Sequence, residues 1–348
     1  MKKTIILTIL AAVLCCGCAH SVKSGASDAA KRYIEAWVQV QKQMHPEYAW
    51  KKTDLGSWIL EDVPGKGNVV GTFEDSLYLR VNYTVYDLEG NITATTSEIV
   101  SKQLGEYDET YYYGPLVWYA NGIYAGLEEM FKDMSDGSRR RMLIPSWLMT
   151  YDRYETEQEY MDNADEKTAS IYDVELVEHF PYIQQWSADS VGRYLAANYP
   201  KKFSTNPYAA TADSSGAFGF WYIQEKAPAD TVTLKDTTVY INYIGRLLNG
   251  KVFDTTIRDT AIFYGLSRDK TYEPVSITFG STWSDVTMGS EGSSVIQGFA
   301  RTLCKMKSYE KGTGIFISSL GYGYKGSGST IPGYSPLRFD IEIVDNPN

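Results

Sequence analysis

One segment of this chain is written twice, and the duplication limits the fold more than any other feature. "SLYLRVNYTVYDLEGNITATT" (residues 76–96) returns as "TTVYINYIGRLLNGKVFDTT" (residues 237–256), with Tyr83 and Tyr243 standing 160 residues apart. In the second copy Val239, Ile241 and Tyr243 alternate with Tyr240, Asn242 and Ile244, the period of a half-buried strand. A polar turn follows in each copy, with Gly90 and Gly250 placed to take positive φ and close a hairpin. The flanking text repeats as well. The amphipathic "SDAAKRYIEAWVQVQKQ", with Ser27 or Asp28 as N-cap, has a counterpart in "SADSVGRYLAANYP". "GSWILEDVPGKG" pairs with "GFWYIQEKAPAD", "NGIYAGLEEMFKDM" with "SSVIQGFARTLCKM", and "IYDVELVE" with "LRFDIEIVD". Such a period is far too long for a solenoid, so the chain holds two globular domains. Each is α+β: an antiparallel sheet with a short helix against one face, preceded by an N-terminal helix. The boundary falls near Pro181, giving 27–180 and 181–348.

Composition narrows the chemistry. The 348 residues are 43% hydrophobic and 14% aromatic, enough to bury two cores. Net charge is −10 and no basic face appears, which argues against a nucleic-acid footprint. Three scattered histidines, His20, His45 and His179, argue against a zinc site or a histidine-based triad, so no metal and no cofactor is expected. "GYGYKG" (321–326) matches a dinucleotide-loop spacing, but "SGSTIPGYSP" after it cannot open a phosphate-capping helix. Glu128 and Glu129 read as a solvated helix face, and Asp340 and Glu342 as cross-strand pairs.

The first eighteen residues carry two lysines, an apolar run from Ile5 to Leu14, and "CCGC", the pattern of a cleaved secretory leader. The ending resembles a bacterial lipobox with Cys18 as lipid acceptor, although Leu14 lies four rather than three residues before it. Residues 19–26 would then tether the protein to a membrane, placing it in the cell envelope, facing the periplasm or the surface. Cys304, in "FARTLCKMK" among apolar neighbours, is expected to be a buried inert thiol.

From residue 232 to 345 the second copy resembles the FKBP-type peptidyl-prolyl cis/trans isomerases. The landmarks run in family order: "VYINYIGRLLNGKVFDTT", "VIQGFARTLCKMK" and "GYGYKGSGSTIPGYSPLRFDIEI". The resemblance implies a bent antiparallel sheet wrapped around a short helix. It also implies a proline pocket lined by Phe253, Val295, Ile296, Phe299, Ile331 and Phe339, with Phe299 where the family usually has Trp. Tyr243, Asp254 and Tyr322 would be the catalytic polar groups, and the Ile296 N–H would orient a substrate carbonyl. Proline-containing polypeptides, and an FK506-like macrolide, are the implied ligands. A long insertion, 257–294, would flank the mouth, and Val275 replaces the aromatic of the family's next strand.

The first copy keeps Tyr83 but has Thr93 and Ala94 where the second has Phe253 and Asp254. Ile123 and Tyr124, Leu127 and Tyr172 take the other pocket positions, and the loop aromatic is absent or displaced into "PSWLMTYDRY". This copy is expected to be non-catalytic. "YYYGPLVWYANGIY" could present an aromatic binding patch, though most of it reads as core. In arrangement the chain resembles the tandem FKBP-like lipoproteins of Bacteroidetes. The expected activity is isomerisation of X-Pro bonds in secreted or envelope proteins, with a non-catalytic peptide-binding module or chaperone as the alternative.

Overall fold

The computed structural model describes residues 26–71, 73, 77–165, 167–203, 218–266 and 270–347. The leader and Cys18 lie outside the described residues. Helix α1 (Ala26–Met44) buries Ile34 and Val38, four apart and therefore on one face. The helix already includes Ser27 and Asp28, so neither is its N-cap; the Ser27 hydroxyl instead donates to the Met161 carbonyl at 2.6 Å.

The first sheet comprises β1 (Lys51–Lys52), β2 (Trp58–Val63), β3 (Tyr78–Tyr86), β4 (Ile92–Thr95), β5 (Leu116–Tyr119), β6 (Ser138–Ile144) and β7 (Ser170–Phe180). Their order is β1-β2-β6-β7-β3-β4, with β5 also on β3. Helices α2 (Glu98–Leu104), α3 (Ala125–Phe131) and α4 (Glu157–Asp162) lie in the connections. The chain then runs through α5 (Ile183–Asn198) and α6 (Pro200–Phe203) into a second sheet. That sheet contains β8 (Phe220–Lys226), β9 (Thr238–Leu247), β10 (Val252–Thr255), β11 (Val275–Thr278), β12 (Thr287–Met288), β13 (Ser293–Ser294), β14 (Lys311–Phe316) and β15 (Leu337–Val344). Its order is β13-β12-β11-β9-β15-β14-β8, with β10 also on β9; α7 (Arg258–Phe263) and α8 (Gln297–Lys305) connect its strands.

The two sheets share one topology: β2-β6-β7-β3 matches β8-β14-β15-β9, and β4 and β5 match β10 and β11. The hairpins agree residue by residue. Val85 faces Ala94 as Gly245 faces Asp254, and each hairpin carries a register shift in its second strand. The Tyr83 N–H donates to Thr96 Oγ1 at 2.9 Å, and the Tyr243 N–H donates to Thr256 Oγ1 at 2.9 Å. Gly90 and Gly250 take φ of +91° and +93°, the left-handed conformation a side chain resists.

Alternation divides the second sheet between two partners. Phe220 and Phe316 join α8 in one core, while their neighbours Trp221, Ile223, Ile315 and Ile317 pack with Val191 and Leu195 of α5. A separate cluster holding Val38, Leu79, Phe131, Trp147 and Val174 fills the first unit. In both units a helix glycine allows close packing on the sheet. An added Cβ at Gly126 would lie 2.2 Å from the Ile144 side chain, and one at Gly298 would lie 2.3 Å from the Phe316 ring. Gly298→Ala is therefore expected to destabilise the second unit by about 1–3 kcal/mol. The measurement is a lowered denaturant midpoint at unchanged slope.

Three further sequence expectations are corrected. The stretch 257–294 is not all insertion: β11 is a sheet strand paired with β9, Val275 opposite Ile241, and β12 and β13 extend that edge. Cys304 is exposed, because the last turn of α8 carries it off the core. Glu128 and Glu129 are half-buried rather than on a solvated face. Glu128 meets Arg153 at 2.5 Å, and Glu129 accepts the Leu55 N–H at 3.1 Å. Asp340 and Glu342 do pair across strands, Asp340 with Arg246 at 3.0 Å and Glu342 with Lys226 at 3.5 Å.

Candidate functional site

The site grows from the β9–β10 hairpin. Val252 faces Arg246 and Asp254 faces Gly245, which leaves Phe253 as the extra residue of a bulge. The Phe253 ring lies across the backbone of Gly245, where an added Cβ would be 2.6 Å from it and 2.9 Å from the Phe339 ring. Glycine is required there by space, since any side chain would displace one of the two rings.

Around that point the rings interlock. Phe339 sits 5.5 Å from Phe253, 5.0 Å from Phe299 and 6.1 Å from Tyr243, and Tyr243 lies edge-on to Phe299 at 5.5 Å. The edge-to-face pairs, at 74–77°, satisfy the ring quadrupoles. Ile331 is buried in the same cluster, and Val295 and Ile296 pack half-buried against it. Ile296 is the last extended residue before α8, and its carbonyl accepts the Ala300 N–H at 3.1 Å.

One polar pair interrupts this apolar set. The Tyr243 hydroxyl donates to Asp254 Oδ2 at 2.5 Å, and the Thr255 N–H donates to Oδ1 at 3.0 Å. Burial, and then the Asp254 charge, push the Tyr243 phenol well above its ordinary range, so it stays a donor at any physiological pH. Tyr322 stands on the turn after Leu320, near enough for the Asp254 carboxylate to raise its phenol after burial has done so.

The structure thus gathers Tyr243, Phe253, Val295, Ile296, Phe299, Ile331 and Phe339 on one apolar cluster, with Asp254 bonded to Tyr243 and Tyr322 within reach of its charge. Sequence reading missed Lys270, whose Nζ lies 2.6 Å from Asp254 Oδ1. No local motif marks a lysine sixteen residues beyond its partner across a connection. Both groups are substantially exposed, so Lys270→Met is expected to change stability by less than about 1 kcal/mol, read by chemical denaturation. The role of Gly245 was also missed, as was Tyr112, whose N–H donates to the Ser329 carbonyl at 2.8 Å.

The first unit keeps the cup without the acid. A cavity of about 380 Å³ is lined by Tyr83, Trp118, Tyr119, Tyr124, Tyr151 and Tyr172, with Val85, Ala94 and Leu127 beside them. Tyr151, within "PSWLMTYDRY", supplies the displaced loop aromatic. Thr93 is exposed and its hydroxyl donates to the Val85 carbonyl at 3.3 Å. Burial pushes the Tyr172 phenol from 10 up to about 12. Folding therefore favours the protonated phenol, and this contribution to stability is complete below pH 10 and lost as pH rises through 12. An ultraviolet phenolate titration is expected to show several late tyrosines, Tyr243 among them, and Tyr172→Phe is expected to remove one of them.

A ring-lined cup with one phenol–carboxylate pair stands on an antiparallel sheet with one short helix against it, a two-layer α+β arrangement. A family model described as FKBP-type peptidyl-prolyl cis-trans isomerase matches residues 230–344. A probable FKBP-type peptidyl-prolyl cis-trans isomerase of Haemophilus influenzae is 31% identical over 126 residues, covering 36% of this chain and 42% of that protein. Peptidyl-prolyl cis-trans isomerase FKBP11 of Bos taurus is 30% identical over 116 residues, 33% of this chain and 45% of that one. FK506-binding protein 2 of Candida glabrata is 31% identical over 127 residues, 35% of this chain and 76% of that one. The chain spans less than half the length of the first two relatives and three quarters of the third. It belongs to the FKBP-type peptidyl-prolyl cis-trans isomerase family.

Proposed function

We propose that the second unit, residues 181–348, isomerises X-Pro bonds of secreted or envelope proteins while the first, residues 27–180, is non-catalytic. The observation that carries this reading is the Tyr243–Asp254 pair at 2.5 Å on the edge of the Phe253–Phe299–Phe339 cup. Rotation about a peptide bond must cross a barrier of about 18–20 kcal/mol, because resonance holds it planar. A twisted X-Pro bond has lost that resonance, so its carbonyl is less polar and less in need of water. A dry aromatic cup binds the twisted form better than the planar, well-solvated one, which is the differential binding that accelerates a reaction. The Tyr322 hydroxyl, the Ile296 N–H and the Asp254 carboxylate are the groups proposed to orient the flanking carbonyls. An FK506-like macrolide, bound by relatives as their names state, would compete for the same cup.

Cys18 is proposed as the lipid acceptor that holds the protein at the membrane. Mass analysis of the mature chain, with loss of membrane association in Cys18→Ala, is the expected result. For the first unit, a tyrosine-lined cavity without a carboxylate among its lining residues favours binding without turnover.

The test of catalysis is a protease-coupled isomerisation assay on a short Ala-Pro-Phe peptide with the full mature chain. Acceleration is expected. Asp254→Ala is expected to lower kcat/KM about tenfold, equivalent to about 1.4 kcal/mol of barrier. Its melting temperature should stay close to that of the parent. No acceleration, where a control isomerase works, would leave the non-catalytic peptide-binding reading in its place.

A further inference from the structure

The second unit's core cluster is packed by a residue of the first. Tyr112, in the loop between α2 and β5, packs half-buried against the cluster that contains Tyr243, Phe299, Ile331 and Phe339. Its N–H donates to the Ser329 carbonyl at 2.8 Å, two residues before Ile331. On the other flank the Lys251 ammonium, from the β9–β10 turn, donates to the Glu109 carbonyl at 2.6 Å. Gly265 leaves room for the Glu109 carboxylate, which would lie 1.9 Å from any Cβ added there. Tyr78 meets Tyr334 edge-on at 5.4 Å and extends the same junction.

The loop is preformed for this position. Asp108 Oδ1 accepts from the Thr110 N–H and hydroxyl, both at 2.7 Å, and the Tyr113 hydroxyl accepts the Asp108 N–H at 3.0 Å. Tyr107 stacks on Tyr113 at 5.4 Å, and the Gly114 N–H donates to the Thr96 carbonyl at 2.9 Å, fixing the loop to the first hairpin. A loop held on its own unit by backbone bonds presents an aromatic side chain at little further entropic cost. Its anchors on the second unit come from Ser329 and Lys251, which flank the pocket set on two sides.

We propose that the 106–115 loop is an internal occupant of the isomerase cup: Tyr112 competes with a client chain, which must lift the loop away to enter. The first unit would then regulate access to the second through one aromatic side chain and two backbone carbonyl contacts. The competition rests on the isomerase reading, whereas the occlusion itself can be measured without turnover.

The experiment compares the full mature chain with Tyr112→Ala and with Lys251→Met, which removes the Glu109 anchor without touching the cup. Two readouts are taken: the Kd of a fluorescent Ala-Pro-Phe peptide by anisotropy with kcat/KM alongside, and hydroxyl-radical labelling of Phe253 by mass spectrometry. Tyr112→Ala is expected to tighten peptide binding at least fivefold, raise kcat/KM by a similar factor and increase Phe253 labelling. Lys251→Met should shift all three in the same direction by less. Weaker peptide binding in Tyr112→Ala would overturn the proposal, because Tyr112 would then be part of the client's wall. Unchanged affinity with unchanged labelling would overturn it too. If none of the proteins binds or turns over peptide, the isomerase reading falls, and Phe253 labelling alone decides whether the loop covers the cup.

Discussion

Gly245→Val is expected to empty the second unit's cup of the Phe253 ring and to lower isomerase kcat/KM by about tenfold or more, while costing about 1–3 kcal/mol of stability. Valine is what the first copy carries at this place: Val85 faces Ala94 as Gly245 faces Asp254. A Cβ at Gly245 would stand 2.6 Å from the Phe253 ring and 2.9 Å from the Phe339 ring, so three further heavy atoms leave the ring no room. The first copy tolerates the branched side chain because Thr93 is exposed and carries no ring. The same geometry explains why Ala94→Asp alone should restore no turnover to that unit: the carboxylate would return without the neighbouring ring. The check is turnover and melting of the two single variants beside the parent. Full activity in Gly245→Val would remove Phe253 from the site.

Phe339→Ala is expected to be the most destabilising of the site substitutions, by about 3–5 kcal/mol. Its ring contacts Tyr243, Phe253 and Phe299 and stacks on Phe316 at 5.9 Å, so its removal opens a hole where the pocket meets the core. Phe339 is 4% exposed, and neighbours attached to the β9 and β14 backbones can close only part of such a void. Because the first unit has its own core, its unfolding should move far less than that of the second. Hydrogen exchange, read separately on β7 and β15 peptides, distinguishes the two. Equal loss of protection in both would show that the cores unfold as one.

The contrast between the copies is a matter of which constraints travel with the backbone. Tyr83 and Tyr243, Thr96 and Thr256, Gly90 and Gly250 hold the hairpins in shape, and each acts through bonds within about fifteen residues. Such local constraints leave marks in the text: alternation, a turn glycine, a threonine at a fixed interval. The ring set of the cup was legible only through the resemblance of its motifs to a known family, since Tyr243, Phe253 and Phe339 sit on strands while Phe299 sits on a helix and Ile331 in a loop. Cys304 and Glu129 were misread for the opposite reason. Their burial depends on where one short helix is laid on a sheet, and helical spacing alone does not set that placement.

By itself the sequence determined the duplication, the α+β class and the two hairpins, and its resemblance to a family implied the residues of the second cup. The class and the hairpins follow from periodicity and turn chemistry, which act over a few residues; the cup residues follow from the resemblance. Tertiary structure alone decided that Lys270 closes on Asp254, that Gly245 must be bare for Phe253 to lie down, that β11 to β13 extend the sheet, and that Tyr112 packs against the second unit's core cluster. The Tyr112 and Ser329 backbones meet at 2.8 Å across more than two hundred residues of chain. A contact of that kind is fixed by the packing of surfaces, and no short stretch of sequence carries its signature.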